Sequence, residues 1–187
     1  MLAAGGSRRL GQPKQLLPVG SRPLLDHVLA AARACRFDQL LCVLGGEAGR
    51  VREQVDLRGV EVVENVHFGT GCSSSIAAAL QAVDPRTEEL VLMLGDQPGV
   101  AAGTVARLLG GRGRAAVAAC AYEDGRGHPL AFARSMFVEL AALHGDKGVW
   151  KLLDRRAGDV VVVPISGPIP RDVDTWDDYD AVMAQAR

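Results

Sequence analysis

The sequence predicts an α/β fold: a single Rossmann-like domain of three layers, with helices on both faces of a mostly parallel sheet. Three observations predict it. Short apolar runs alternate with stretches of helical periodicity along the whole chain. The clearest runs, residues 40–44 and 90–94, are continuous rather than alternating, as in strands buried on both faces. No repeat, low-complexity tract or long linker divides the 187 residues, so residues 1–187 read as one domain with a sizeable core.

The elements follow in order. Residues 1–4 are a short apolar opening strand, and a loop of Gly5, Gly6, Ser7, Arg8, Arg9, Gly11, Pro13 and Lys14 leaves it. Leu24, Leu25, Val28, Leu29 and Ala32 share one helical face. Residues 40–44 form a buried strand ended by Gly45-Gly46. Val51 and Val55 mark a short polar helix, and residues 60–63 a short strand. Residues 65–75 read as a loop entering a helix that begins at Ile76 and carries Ala79, Leu80 and Val83, with Ser73 to Ser75 as its caps. The central strand is 90–94. A helix over 104–109, a strand over 115–121, a flexible turn over 124–127 and a return to the sheet over 128–132 come next. Ser135 is expected to cap a helix over 136–143. A short helix over 149–153 and a strand over 160–163, closed by Pro164, follow. Thr175-x-x-Asp178 is a capping-box pattern at the start of a last helix with Trp176, Tyr179, Val182 and Met183.

Composition removes several function classes. With 21 basic and 22 acidic residues the net charge is −1, so no bulk field favours nucleic acid or a membrane surface, and any anion site must be local. Cysteines 35, 42, 72 and 120 form no C-x-x-C pair, which argues against a zinc site or disulfide framework and for a reducing cytoplasm. No apolar run reaches the length of a membrane span, and no secretory leader is expected.

The chemistry concentrates in a few places. Glycines at 5 and 6 let backbone N–H groups turn toward an anion, and Arg8, Arg9 and Lys14 add positive charge within one loop. This suits a polyphosphate. It is neither a Walker loop, lacking Gly-Lys-Ser/Thr, nor a G-x-G-x-x-G fingerprint. Alone, it is equally a basic surface loop. Asp96 stands just past the central strand, where α/β sheets bind ligands, and a hard cation such as Mg²⁺ seeks such oxygen ligands. Its plainer role is to cap the next turn. Asp174 is the second carboxylate, with helix capping as its plainer role. Cys72 has no sequence-adjacent base to activate it.

Leu2, Ala3, Ala4, Gly5, Ser7, Arg9, Gly11, Lys14, Leu16 and Leu17 fall on the pattern L-A-A-G-x-S-x-R-x-G-x-x-K-x-L-L. The stretch resembles the N-terminal signature of nucleotidyltransferases that activate molybdopterin, most nearly the molybdenum cofactor cytidylyltransferase family. Gly95-Asp96-Gln97-Pro98 resembles that family's G-D-x-P segment, and Asp172-Val173-Asp174-Thr175 its D-x-D-T segment. Gly71, Ser75 and Ile76 are in register with its G-x-x-x-S-[LIV] motif, and His128-Pro129 resembles its His-Pro segment. Gly145-Asp146-Lys147-Gly148 matches G-D-x-G but continues Val149-Trp150, where the family often has a small residue and Arg.

The resemblance implies a nucleotidyltransferase domain of GT-A-like type. It implies Mg²⁺-dependent transfer of CMP from CTP to the terminal phosphate of molybdopterin, with release of pyrophosphate. Arg9, Lys14 and Asp96 would be catalytic. Leu2, Ala3, Ala4, Gly5, Gly6, Ser7, Lys14, Gly71, Ser75 and Asp96 would bind the nucleotide. His128, Pro129, Gly145 and Asp146 would face the acceptor, and Asp96 with Asp174 would hold the metal. Leu-Ala-Ala-Gly points to CTP, since guanylyl-transferring relatives carry Leu-Ala-Gly-Gly, and the methyl of Ala4 narrows the base edge. The acceptor phosphate is a dianion near neutral pH, so no protein base is required. Implied partners are CTP or another triphosphate, a phosphorylated acceptor and, transiently, a molybdoenzyme. The alternatives are guanylyl transfer, a sugar-phosphate or phospholactate nucleotidyltransferase, a GT-A-like glycosyltransferase, and a non-catalytic delivery protein for the cofactor.

Overall fold

The structure, a computed structural model, describes residues 1–185. β1 (Leu2–Ala3) opens the chain and the glycine-rich loop follows it. A small hairpin of β2 (Pro18–Val19) and β3 (Arg22–Pro23) leads into α1 (Leu24–Ala34). Then come β4 (Leu41–Leu44), α2 (Ala48–Gln54), β5 (Glu61–Glu64), α3 (Cys72–Ala82), β6 (Glu89–Leu92) and α4 (Ala102–Arg112). β7 (Val117–Tyr122), β8 (Gly125–Ala133), α5 (Phe137–Ala141), α6 (Gly148–Arg155), β9 (Val160–Pro164) and α7 (Trp176–Gln185) complete it. Among the described residues no helix is long and apolar enough to cross a membrane.

β4 pairs with β1 and β5 in parallel. On the other side β6, β8, β7 and β9 run in that order, with β8 alone antiparallel to its neighbours. Leu2 joins the two groups: its N–H donates to Met93 O at 2.9 Å and its carbonyl accepts from Gly95 N at 2.8 Å. The sheet is thus mostly parallel, as expected, with β6 fourth of its seven strands and β1 beside it.

The period of two along the strands divides the core. Met1, Ala3, Cys42 and Leu44 pack with Leu25, Leu29, Val105 and Val182 of α1, α4 and α7. Leu2, Ala4 and Val43 pack instead with Ile76, Leu140, Leu152 and Leu153 of α3, α5 and α6. Two apolar faces of one sheet, each covered by helices, make the three layers.

Three local expectations are corrected. α3 starts at Cys72 rather than Ile76, and Ser73 to Ser75 lie inside its first turn. Their hydroxyls are engaged elsewhere: Ser74 Oγ donates to Gly71 O at 2.8 Å, and Asn65 Nδ2 donates to Ser74 Oγ at 2.8 Å and Ser75 Oγ at 3.0 Å. Residues 125–127 are strand, not flexible loop; Gly125, Arg126 and Gly127 pair with Tyr122, Ala121 and Cys120, so the turn shrinks to Glu123 and Asp124. Ser135 sits within a 3₁₀ turn, Arg134–Met136, and caps nothing; α5 begins only at Phe137. The capping box is present: Thr175 N–H and Oγ1–H donate to Asp178 Oδ2 at 2.9 and 2.7 Å, and Asp178 N–H donates back to Thr175 Oγ1 at 3.2 Å.

His128 lies in β8 and is 9% exposed. Its ring meets Trp150 edge to face, with centroids 5.4 Å apart. Burial without a charged partner pushes its pKa from 6.5 down to about 4. The unfolded chain therefore takes up a proton below pH 6.5 that the folded chain refuses until about 4. Stability from this group is full above pH 6.5 and is lost as pH falls toward 4. At about 1.4 kcal/mol per pKa unit the loss is on the order of 3 kcal/mol. Urea unfolding at pH 7 and pH 5 checks this: His128→Phe should lose distinctly less stability than the wild type over that interval. Equal losses would contradict the assignment.

Candidate functional site

A cleft of about 540 Å³ opens at the carboxyl ends of β1 and β6. The opening loop lines one side from Leu2 to Arg8, together with Lys14 and Gln15. Phe68, Gly71, Cys72 and Ser75, at the entry to α3, line the other. Leu94, Gly95 and Asp96 form the end of the β6 segment, and Asp146, Asp172 and Asp174 complete the wall.

The opening loop is held by its own side chains. Gln15 Nε2 donates to Ala3 O at 2.6 Å and Gly5 O at 3.2 Å. Ser7, at φ +47°, accepts from Lys14 N on its Oγ at 2.9 Å and from Leu10 N and Gly11 N on its carbonyl at 3.1 and 3.2 Å. A serine in the left-handed region is uncommon, and these bonds compensate its cost. The backbone N–H groups of residues 5–9 donate to no group among the described residues. A run of free amides on a glycine-rich turn could hold an anion.

Lys14 reaches from this loop to the carboxylates. Its ammonium donates to Asp96 Oδ2, and to Asp174 Oδ1 at 2.7 Å. Arg9 takes the other oxygen of Asp174 at 2.8 Å. Burial pulls the Lys14 pKa down, but Asp96 and Asp174 outweigh it and hold the ammonium above the usual lysine range. Burial raises Asp174, but Lys14 and Arg9 hold it below the usual carboxylate range. For Asp172 burial first, then repulsion from Asp96, outweigh a hydrogen bond from Gln97 and the charge of Lys14 and push it up to about 6. Burial and the nearby Asp146 and Asp96 push the Cys72 thiol up to about 11, so it is no nucleophile at neutral pH.

A distant segment builds the α3 side of the cleft. Cys72 N–H donates to Asp146 Oδ1 at 3.0 Å, so a carboxylate from the loop before α6 caps α3. Ser73 N–H and Oγ–H both donate to Gly145 O, at 3.2 and 2.6 Å. Gly71 adopts φ +113°, and a Cβ there would lie 2.7 Å from the carbonyl carbon of Gly145.

Of the residues singled out in the sequence, Leu2, Ala3, Ala4, Gly5, Gly6, Ser7, Lys14, Gly71, Ser75, Asp96, Asp146 and Asp174 line this cleft. Arg9 touches it through Asp174. Gly145 stands behind the α3 entry, and His128 and Pro129 are not among the lining residues. Arg8, Gln15, Phe68 and Asp172 also line it and were not singled out as site residues. Asp172 had a signal, as the first aspartate of the D-x-D segment, and so had Gln15, next to Lys14.

Carboxylates of Asp96 and Asp174 both close on one cationic atom, Lys14 Nζ. That atom marks a point where hard oxygen donors converge, so the pair fits a magnesium or manganese ion. Among the described residues no group of three or more His, Cys, Asp or Glu side chains is arranged to hold a metal. Phosphate oxygens would have to supply further ligands, as is usual for Mg²⁺ at nucleotide sites.

The chain is similar to known proteins over most of its length. Residues 1–160 match the family described as MobA-like NTP transferase domain. A crystal structure of the Rv0371c homologue from Mycobacterium sp. strain JC1 is 49% identical, covers 100% of this chain and 94% of its own, and superposes with a TM-score of 0.92. The manganese complex of Rv0371c from Mycobacterium tuberculosis H37Rv is 45% identical, with 98% and 95% coverage and a TM-score of 0.85. Nicotine blue oxidoreductase from Paenarthrobacter nicotinovorans is 29% identical over 196 residues, covering 100% of this chain and 93% of that protein.

The contact between Gly71 and Gly145 gives a direct test. Gly71→Ala forces a Cβ into backbone at a conformation unsuited to L-residues. It should destabilise by about 2 kcal/mol or more, lowering Tm by roughly 4–8 °C in a chain of this size. A Tm within a degree of the wild type would show that the two segments do not meet as described.

Proposed function

The chain belongs to the MobA-like NTP transferase family, and on that premise we propose that it transfers CMP from CTP to the terminal phosphate of molybdopterin, with Mg²⁺ as cofactor and pyrophosphate as the second product. The observation that carries this reading is the convergence of Lys14, Asp96 and Asp174 beside a loop of free backbone amides. One feature of the site supplies electrostatic neutralisation of an attacking and a leaving phosphate, and the other cradles the leaving part.

In this reading the amides of Gly5, Gly6 and Ser7, with Arg8, Arg9 and Lys14, bind the β- and γ-phosphates. Asp96 and Asp174 hold the metal, which when bound neutralises charge on the reacting phosphates. Leu2, Ala3 and Ala4 border the base on one side, and Gly71 and Ser75 on the other. Asp146 and Gly145 face the acceptor, while His128, packed on Trp150, and Pro129 stand outside the cleft lining. The acceptor phosphate is already a dianion and attacks the α-phosphorus without a protein base. The cleft suits this, because Cys72 stays protonated and His128 is packed against Trp150. The manganese complex of the mycobacterial relative supports a divalent cation as cofactor. The reduced cysteines support a cytoplasmic setting, where the product would pass to a molybdoenzyme by a transient contact.

The relative named nicotine blue oxidoreductase favours a second reading, redox chemistry on nicotine blue or a related compound in this cleft. Pyrophosphate release from each of the four triphosphates, with and without molybdopterin, separates the two. Acceptor-dependent release from CTP supports transfer. No release from any triphosphate, with oxidation of NADH or NADPH by such a compound, supports the redox reading.

Two variants sharpen the test. Asp96→Asn should lower turnover by at least about 100-fold with the fold intact, because a charge is lost where charge develops; activity within tenfold of wild type would remove Asp96 from the metal. With Mg²⁺, CTP at about 100 times its Kd should raise Tm by roughly 5–10 °C, from about 2.7 kcal/mol of binding at 2–4 °C per kcal/mol. GTP should do little at that concentration, and Ala4→Gly should erode the difference, since one methyl discriminates by about 10–200-fold. Equal protection by GTP would overturn the base assignment while leaving nucleotidyl transfer standing.

A further inference from the structure

Lys14 occupies the very point at which the metal is placed by the reading above. Its side chain is 10% exposed, and its Nζ is bonded to Asp96 and Asp174 at once. The second oxygen of Asp174 is taken by Arg9 at 2.8 Å. Asp96 Oδ2 and both oxygens of Asp174 are thus held by two cations, and a metal drawing on those oxygens must displace the ammonium. A divalent ion cannot share the gap with an ammonium, since both need the same oxygen atoms and repel each other at that range.

The ammonium also has somewhere else to go. The backbone of Lys14 is fixed by its N–H to Ser7 Oγ at 2.9 Å, so only the side chain needs to move. Its stem runs under the opening loop: Cε lies 3.3 Å and Nζ 3.7 Å from where a Cβ on Gly5 would sit. The free amides of residues 5–9 begin there. Phosphates seated on those amides would meet the ammonium within the reach of a rotamer change along a flexible four-carbon stem.

We propose that Lys14 is an internal counter-cation that competes with the divalent metal for Asp96 and Asp174, and that a bound triphosphate admits the metal by drawing the Lys14 ammonium onto itself. The inference rests on the nucleotidyltransferase reading and adds an order to it: metal enters with the nucleotide or after it. The coupling is reciprocal, so metal strengthens nucleotide binding by the same factor. Lys14 then acts as a positioning residue for the metal as well as a phosphate ligand.

The test is a titration with Mn²⁺ alone, without nucleotide, following free Mn²⁺ by electron paramagnetic resonance. Lys14→Met should bind Mn²⁺ at least about tenfold more tightly than the wild type, because two partly buried carboxylates lose their counter-charge. Lys14→Gln, checked for native circular dichroism, carries the same expectation if the methionine variant does not fold. Arg8→Gln removes a positive charge from the same cleft without touching either carboxylate, and should change the affinity by less than about threefold. Unchanged Mn²⁺ affinity in both Lys14 variants would overturn the proposal. So would an equal gain in Arg8→Gln, which would mark a general field rather than competition for one point. Pyrophosphate release by the wild type is read separately. Release with no gain in the Lys14 variants strikes the inference and spares the transferase reading; a gain with no release from any triphosphate does the reverse.

Discussion

Two aspartates from distant parts of the chain share one lysine ammonium, and the arrangement of the molecule around its cleft depends on that contact. Lys14 comes from the loop after β1, Asp96 from the end of β6, and Asp174 from the segment before α7. Carboxylates brought this close repel unless a cation lies between them. In partly buried surroundings, removing one partner leaves an uncompensated charge, at a cost of a few kcal/mol that solvent reduces on the more exposed Asp174 side. The C-terminal segment is laid in place to suit. Val173 N–H donates to Asp96 O at 3.1 Å, Gln97 Nε2 donates to Pro170 O at 3.1 Å, and Tyr179 Oη donates to Pro18 O at 2.5 Å. Val182 buries the inner face of α7 in the same apolar cluster as Leu25 and Leu29.

The sheet explains why the cleft lies where it does. β1 lies inside the sheet, and the missing side chain of Gly95 lets the segment after β6 close on Ala3. A Cβ on Gly95 would lie 2.7 Å from the Cβ of Ala3. Close packing brings the glycine loop beside Asp96, and the same loop then offers amides on one side and Lys14 on the other. In the proposed reading the phosphate cradle and the counter-charge to Asp96 and Asp174 therefore come from one stretch of backbone. On the opposite wall the α3 entry is not self-sufficient. Its cap is Asp146 and its first serine is tied to Gly145, so the loop before α6 and the entry to α3 form a unit.

Elements whose signal is local were legible in the sequence. The continuous apolar runs became β4 and β6, and Thr175 with Asp178 formed the capping box that their spacing announced. The opening loop was legible through its residue types and a family pattern. What could not be read depends on contacts far apart in sequence. The start of α3 was displaced because its capping carboxylate lies 74 residues away, and the adjacent serines only appeared to be the caps. Residues 125–127 looked flexible because of their glycines, but β7 pairs with them and removes that freedom. Arg8 was legible as charge on the opening loop, whereas Phe68 gave no sign of lining the cleft, since nothing in its neighbourhood distinguishes one loop face from the other. The pairing of Lys14 with carboxylates 82 and 160 positions away was beyond any spacing rule.

Crystals grown with Mn²⁺ and CTP, with data collected at the manganese absorption edge, test most directly whether these residues form one cation and phosphate site. An anomalous peak within coordination distance of oxygens from both Asp96 and Asp174, with Lys14 Nζ moved onto the triphosphate, is the predicted result. A peak bound by phosphates alone, with Lys14 still bridging the two aspartates, would contradict it.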